Sequence, residues 1–295
     1  MRIAVTGSQG QVVRALIERA AGQDAEIILL ARPAVDLLEP ASIAAAIEAA
    51  VPTIIVNAAA FTAVDKAESD ETLAERINAT GAGAVSEAAA RVRAPIVQLS
   101  TDYVFDGRLD RPYREDDSTA PLGAYGRTKL AGEAAVAAAN PRHVILRTSW
   151  VYSPFGANFV KTMLRLGQTQ ESVRVVADQI GAPTSALDIA DAILHICRRL
   201  HADPGGGNHF GIFHFAGAGT ASWADFAEAI FTEAEQHGRR PVAVTRIATS
   251  DYPTAARRPA NSRLDTRKFI DTYGFAPPAW RLSLPPVIAR LLQTT

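Results

Sequence analysis

Tyr125 and Lys129 stand four residues apart in the run Tyr125-Gly126-Arg127-Thr128-Lys129. On a helix that spacing puts both side chains on one face, so an ammonium can sit beside a phenol. A free phenol ionises near pH ~10 and relays protons poorly at neutral pH. A neighbouring cation favours the tyrosinate and lowers that pKa, making the tyrosine usable as an acid or base. Such a pair arises by chance in about one of every two chains of this length, so alone it is weak. Its weight comes from two other stretches. Thr101 ends an apolar run 24 residues upstream of Tyr125, and a nucleotide-binding pattern opens the chain.

In that opening, residues 3–6 read as a buried strand, followed by Gly7-Ser8-Gln9-Gly10-Gln11-Val12-Val13 and an amphipathic helix to about Gly22. A glycine-rich turn between strand and helix lets the backbone approach a pyrophosphate, whose charge the helix N-terminus favours. Val13 stands where a small residue usually lets helix and strand pack closely, a departure from the usual pattern whose effect on the turn the sequence leaves open. The alternative is a glycine-rich turn that holds nothing. Residues 26–30 form a second strand, apolar as parallel strands are. NAD-specific sites place an acid at its end for the ribose 2′-hydroxyl, but this strand runs out as Leu30-Ala31-Arg32-Pro33. Arg32 favours a 2′-phosphate, hence NADPH, with NADH also accepted; otherwise it is a solvated surface arginine. Asp36 and Leu37 follow on a loop within reach of an adenine.

The elements that must position these residues alternate without a break. Residues 42–50 read as a helix, 53–56 as a third strand ending in the small Asn57-Ala58-Ala59-Ala60, and 67–91 as one long alanine-rich helix carrying Asn78. Residues 95–99 form a fourth strand that delivers Ser100 and Thr101 to the edge where open α/β sheets bind ligands. The polar stretch 108–122 is a loop whose acids, Glu115, Asp116 and Asp117, are expected in solvent rather than on a metal. Residues 123–139 form the helix of Tyr125 and Lys129, and 143–147 a fifth strand. This alternation calls for an α/β fold, a Rossmann-like doubly wound parallel sheet over 1–150. Beyond Trp150, helices (158–166, 187–200, 223–236) alternate with short strands (173–176, 212–215, 242–247), and Gly, Pro and Asn cluster at 203–208 and 252–261. A smaller C-terminal α/β lobe over 151–295 is expected to bind substrate over the sheet's active edge, with some segments packing back on the first domain.

Bulk properties exclude several classes. A chain of 295 residues with 48% hydrophobic content, 30 basic and 31 acidic side chains is an ordinary globular protein, with no basic excess for nucleic acid. The single cysteine, Cys197, cannot form an intramolecular disulfide and suits a reducing compartment. Met1 runs straight into the first strand, leaving no room for a leader, and no apolar run spans a bilayer. A cytoplasmic protein is expected. His195, Cys197 and His201 resemble metal ligands, but positions 195 and 197 lie about 200° apart on a helix. His209 and His214 flank a strand as ordinary polar positions. A serine hydrolase is excluded by the lack of a G-x-S-x-G elbow.

Six motifs together carry a family resemblance: VNAAAFTAVDKAE (56–68), LSTDYVFDG (99–107), YGRTKLAGE (125–133), RTSWVY (147–152), DQIGAPT (178–184) and RRPANSRL (257–264). The chain resembles, nearly end to end, the extended short-chain dehydrogenase/reductases, in the branch that reduces nucleotide-linked sugars. The resemblance implies NAD(P)H-dependent reduction of the 4-keto group of a dTDP-linked 6-deoxy-hexulose. It implies that Tyr125 donates the proton to the keto oxygen, Lys129 holds the nicotinamide ribose, and Thr101 hydrogen-bonds the reacting oxygen. Asp102 and Trp150 would line the sugar site, Trp150 otherwise being a plain core residue. Gly7, Gly10, Gln11, Val12, Asp36, Leu37, Ala60, Phe61 and Thr62 would contact the cofactor. Arg258 and Arg263 are candidates for the substrate's diphosphate by charge. Some members hold magnesium at a dimer interface through glutamates, one early in the first helix. Here that helix offers Ala15, with Glu18 a turn later, so neither that metal nor that dimer is expected; a monomer or another homodimer is. Two rivals on the same fold are a non-catalytic regulatory subunit, like the partner of methionine adenosyltransferase, and a sugar-nucleotide epimerase or dehydratase. Intact Thr101, Tyr125 and Lys129 weigh against the first. Arg32, suited to a dissociable NADPH, weighs against the second.

Overall fold

The computed structural model describes residues 1–293. Ile3, Ala4 and Val5 are wholly excluded from solvent, as a parallel strand covered on both faces must be. They lie in β1 (Arg2–Thr6), followed by α1 (Gln11–Ala20), β2 (Glu26–Leu30), α2 (Pro40–Ala50) and β3 (Ile54–Asn57). The long helix expected over 67–91 is instead divided. It comprises α3 (Val64–Ser69), α4 (Glu71–Glu75), a π-helical turn at Arg76–Gly81, and α5 (Ala82–Arg91). Alanine content permits helix throughout, but Asn78 dictates the bulge. Its Oδ1 accepts the Phe61 N–H at 2.8 Å, while Nδ2 donates to the Phe61 carbonyl and the Thr128 hydroxyl, each at 3.1 Å. A π-bulge re-aims a side chain in this way at functional sites. Then come β4 (Ile96–Thr101), α6 (Ala124–Ala139) and β5 (His143–Thr148).

The second half contains β6 (Val151–Tyr152), α7 (Phe159–Gly167), β7 (Ser172–Val176), β8 (Ile180–Gly181), β9 (Thr184–Ser185), α8 (Ala186–Ala202), β10 (Gly211–His214), β11 (Ala221–Ser222), α9 (Trp223–Gln236), β12 (Ala243–Ile247), α10 (Arg267–Tyr273) and α11 (Trp280–Gln293). Three of these, α8, β10 and α10, return to the first half. The strand expected in the smaller lobe near 212–215 is β10, which pairs parallel with β5 and completes a six-stranded sheet of order β10-β5-β4-β3-β1-β2. Helix α8 lays Ile189, Ile193 and Ile196 into one core with Val13 and Leu16 of α1. Apolar residues three and four apart form the stripe that such packing needs. The remainder builds its own core, in which the parallel pair β7 and β12 sits under Met163, Phe226, Ile230 and Trp280.

Val13 does not disturb the nucleotide-type turn. It is 1% exposed and packs in the core, while the turn itself is made at Gly7. That residue turns at φ 90°, a region only glycine enters freely.

Candidate active site

The C-terminal ends of β1, β3, β4 and β5 open into one cleft of about 950 Å³. Gly7, Gly10, Gln11 and Val12 line one part of it. Gly10 precedes α1 without supplying a side-chain cap, so first-turn N–H groups open onto the cleft, a setting that favours an anion. The Gln11 side chain looks elsewhere: its carbonyl oxygen accepts from Ser153 Oγ at 2.7 Å and from Asn158 Nδ2 at 3.0 Å. Arg32, Asp36 and Leu37 line the neighbouring wall. Arg32 Nε lies 2.9 Å from Asp36 Oδ2, and Asp36 Oδ1 accepts the Leu38 N–H at 3.0 Å. These contacts, the Leu38 N–H first, hold the Asp36 carboxyl below its usual range. Ala60 and Thr62 also line the cleft. Phe61 does not; its ring packs against Ala67, Ala74 and Ala124, since Asn78 fixes its backbone. The glycine turn, the open amides and the Thr148 hydroxyl, which is buried at the cleft without a protein partner, fit a dinucleotide.

At the other end, α6 brings its Tyr125–Lys129 face against the end of β4. Gly126 permits the approach: a Cβ there would overlap the Tyr103 carbonyl oxygen. Lys129 is 4% exposed, and its Nζ donates to the Leu99 carbonyl at 2.6 Å. Burial pushes its ammonium down to about 8, opposed by the Glu133 carboxylate. Burial pushes the Tyr125 phenol up to about 12; the Asp102 carboxylate adds to this and the Thr101 hydroxyl opposes it. The lowered phenol expected from the Lys129 spacing is therefore not what the folded chain has. Burial and the Asp102 charge set the direction, and Tyr125 holds its proton at neutral pH. Thr101 Oγ1 donates to Asp102 Oδ1 at 3.0 Å and accepts the Tyr103 N–H at 3.2 Å. Burial also pushes the Asp102 carboxyl up, to about 6.

Trp150 lines the cleft in the left-handed region at φ 49°. Its ring stacks on Trp223 at 3.6 Å and 7°, and Phe159 leans on Trp223 at 4.7 Å. Trp223 and Phe159 also line the cleft, and sequence reasoning missed both. Each reads as the apolar start of an amphipathic helix, and no local signal ties it to Trp150. Arg258 and Arg263 are not among the lining residues. Arg258 Nη2 pairs with Asp65 at 2.8 Å and Nη1 donates to the Ala256 carbonyl. Arg263 donates to Asn261 Oδ1 at 2.9 Å and to the Asp110 carbonyl. Arg258 thus ties its segment to α3, and Arg263 ties its own to the loop at Asp110.

Behind the cleft lies a buried polar group. Arg147 donates to Glu133 through Nε at 2.9 Å and Nη2 at 2.7 Å. Its Nη1 lies 3.5 Å from His214 Nε2, and His214 Nδ1 lies 3.1 Å from the Tyr113 carbonyl. Glu115, expected in solvent, instead accepts the His214 N–H at 2.9 Å, and burial pushes its carboxyl up. By contrast Asp117 is bound to Arg111, which holds it down at about 2.

The family model of the RmlD substrate binding domain matches residues 1–293. A dTDP-4-dehydrorhamnose reductase of Sinorhizobium fredii is 50% identical over 292 residues, covering 99% of this chain and 98% of that one. The crystal structure of a dTDP-4-dehydrorhamnose reductase of Clostridium acetobutylicum superposes with TM-score 0.91 at 39% identity over 99% of both chains. That of Bacillus anthracis, in complex with NADP, gives 0.90 at 35% identity over 98% of this chain and 99% of that one. With end-to-end likeness in sequence and in fold, the chain belongs to the RmlD family of dTDP-4-dehydrorhamnose reductases.

Proposed function

We propose that this chain reduces the 4-keto group of dTDP-4-dehydrorhamnose to give dTDP-L-rhamnose, with NADPH as reductant and NADH as a weaker substitute. The observation that carries the reading is the convergence of Thr101, Tyr125 and Lys129 in the same cleft as the uncapped, glycine-turned start of α1. The nicotinamide, when bound, supplies the hydride. Tyr125 supplies the proton: its phenol stays protonated until a developing alkoxide offers a stronger base. The Lys129 ammonium steadies the tyrosinate left behind and donates to the nicotinamide ribose. Thr101 hydrogen-bonds the reacting oxygen, and Asp102 and Trp150 line the sugar. Burial excludes water, so each of these charges and dipoles acts at low dielectric.

In this reading residues 1–150, completed by α8 and β10, hold the cofactor, and most of 151–295 holds the dTDP-sugar. Glu18 pairs with Arg290 at 2.7 Å, which with Ala15 leaves that helix poor in metal ligands, and the chain works as a monomer or a homodimer without magnesium. The cytoplasm is the proposed compartment; no described helix is long and apolar enough to cross a membrane. The test is to incubate the purified protein with NADPH and dTDP-4-dehydrorhamnose, follow NADPH absorbance, and identify the sugar by NMR. Stoichiometric formation of dTDP-L-rhamnose supports the reading. Binding without turnover would make the chain a regulatory subunit, and isomerisation without NADPH loss an epimerase.

A further inference from the structure

The face of α6 that carries Tyr125 and Lys129 continues one turn further, to Glu133. Three consecutive residues at the end of β4 meet that face. The Leu99 carbonyl accepts from Lys129 Nζ, the Ser100 hydroxyl donates to Glu133 Oε1 at 2.5 Å, and the Thr101 hydroxyl faces the Tyr125 phenol. Glu133 is 4% exposed and Arg147, which grips both its carboxylate oxygens, is 2% exposed. A bidentate pair of this kind fixes a carboxylate in place, yet burying two charges gains little stability over an apolar pair. Its location suggests another use. We propose that Glu133, held by Arg147 and Ser100 one helical turn from Lys129, is a positioning residue that keeps the Lys129 ammonium charged where the Leu99 carbonyl holds it.

Lys129 needs such help. Desolvation alone favours its neutral form, and a neutral amine would neither steady a tyrosinate nor hold a ribose as well. The other ionisable groups around it do not take this role. Tyr125 stays neutral, and Asp102 lies on the cleft side, beyond Thr101. Arg147 is a cation on the far side of Glu133, and His214 beside it is held neutral by burial. Glu133 acts through Lys129 and touches no reactant.

The inference rests on the reductase reading for its kinetic arm only. The chain has four lysines, Lys66, Lys129, Lys161 and Lys268, so protein labelled with carbon-13 at lysine Cε gives few signals, and Lys129→Arg assigns the one of interest. In Glu133→Gln, the Lys129 signal should titrate about one pH unit or more below its wild-type position, as the loss of one close charge at an effective dielectric near 20 requires. The alkaline limb of kcat/KM should move by the same amount. The double variant Glu133→Gln/Arg147→Gln, which leaves no lone buried charge, should shift Lys129 in the same direction by less, since the Arg147 cation goes as well, and Glu133→Asp should keep most of the wild-type position. If Lys129 titrates where it does in wild type in both the single and the double variant, Glu133 serves packing alone and the proposal is wrong. A Lys129 shift without any sugar reduction would sink the reductase reading and leave the proposal standing.

Discussion

Cofactor choice turns on one exposed ion pair. Arg32 is 68% exposed and Asp36 29% exposed, at 2.9 Å. A guanidinium offers a 2′-phosphate charge-assisted hydrogen bonds worth roughly 1.5–3 kcal/mol, which exposure cuts to about 1–2 kcal/mol. Releasing Asp36 first costs about 0.2–1 kcal/mol, the range for an exposed pair. The net preference for NADPH over NADH is then at most about 1.8 kcal/mol, or up to roughly twentyfold in kcat/KM. The perturbations are Arg32→Ala, which should erase the preference by weakening NADPH alone, and Asp36→Asn. The second should widen the preference about threefold. It frees Arg32 and removes a carboxylate that would repel the 2′-phosphate. Steady-state kcat/KM for both cofactors, in wild type and the two variants at low and moderate salt, gives the ratios. Salt should narrow the wild-type preference by screening. A wild type that prefers NADH, or a ratio unmoved by either substitution, would refute the reasoning and leave Arg32 as a surface charge.

Tyr125→Phe should keep the fold and NADPH binding yet lower kcat by about 10²–10⁴, the usual worth of a general acid; retention of a tenth of the activity would overturn the assignment. Trp150→Ala should raise KM for the sugar about three- to tenfold while NADPH affinity holds, and Trp223→Ala should do so more mildly by unstacking Trp150. A large fall in thermal midpoint with unchanged kinetics would instead make both tryptophans core residues. His214 is neutral in the fold, burial pushing it down to about 3 from an ordinary 6.5. As pH falls below 6.5 the unfolded chain binds a proton the folded chain refuses, so stability present above pH 6.5 is lost at about 1.4 kcal/mol per pH unit. His214→Gln should therefore flatten denaturant-measured stability between pH 6.5 and 4.5, and an unchanged slope would assign the acid sensitivity to other groups.

Short-range features were legible in the sequence by itself. Apolar runs of strand length alternating with helical stretches gave the parallel sheet, because fully buried strands need apolar residues on both faces. Gly7 and Gly10, the Tyr125–Lys129 spacing and the position of Thr101 at a strand end gave the cleft, because each depends on residues a few positions apart. Trp150 and Asp102 followed from motif likeness. The tertiary structure decided what depends on distant partners. The return of β10 to the main sheet needs β5 beside it, and the bulge at Asn78 needs Phe61 and Thr128. Trp223 joins the site only when α9 folds against Trp150. Arg258 and Arg263 read as anion ligands by charge, and the fold gives them Asp65, Asn261 and the Asp110 carbonyl as partners, which the sequence does not show. The sign of the Tyr125 shift is the sharpest case. Spacing shows the cation but not the depth of burial, and desolvation is set by everything packed around the ring rather than by the residue four positions on.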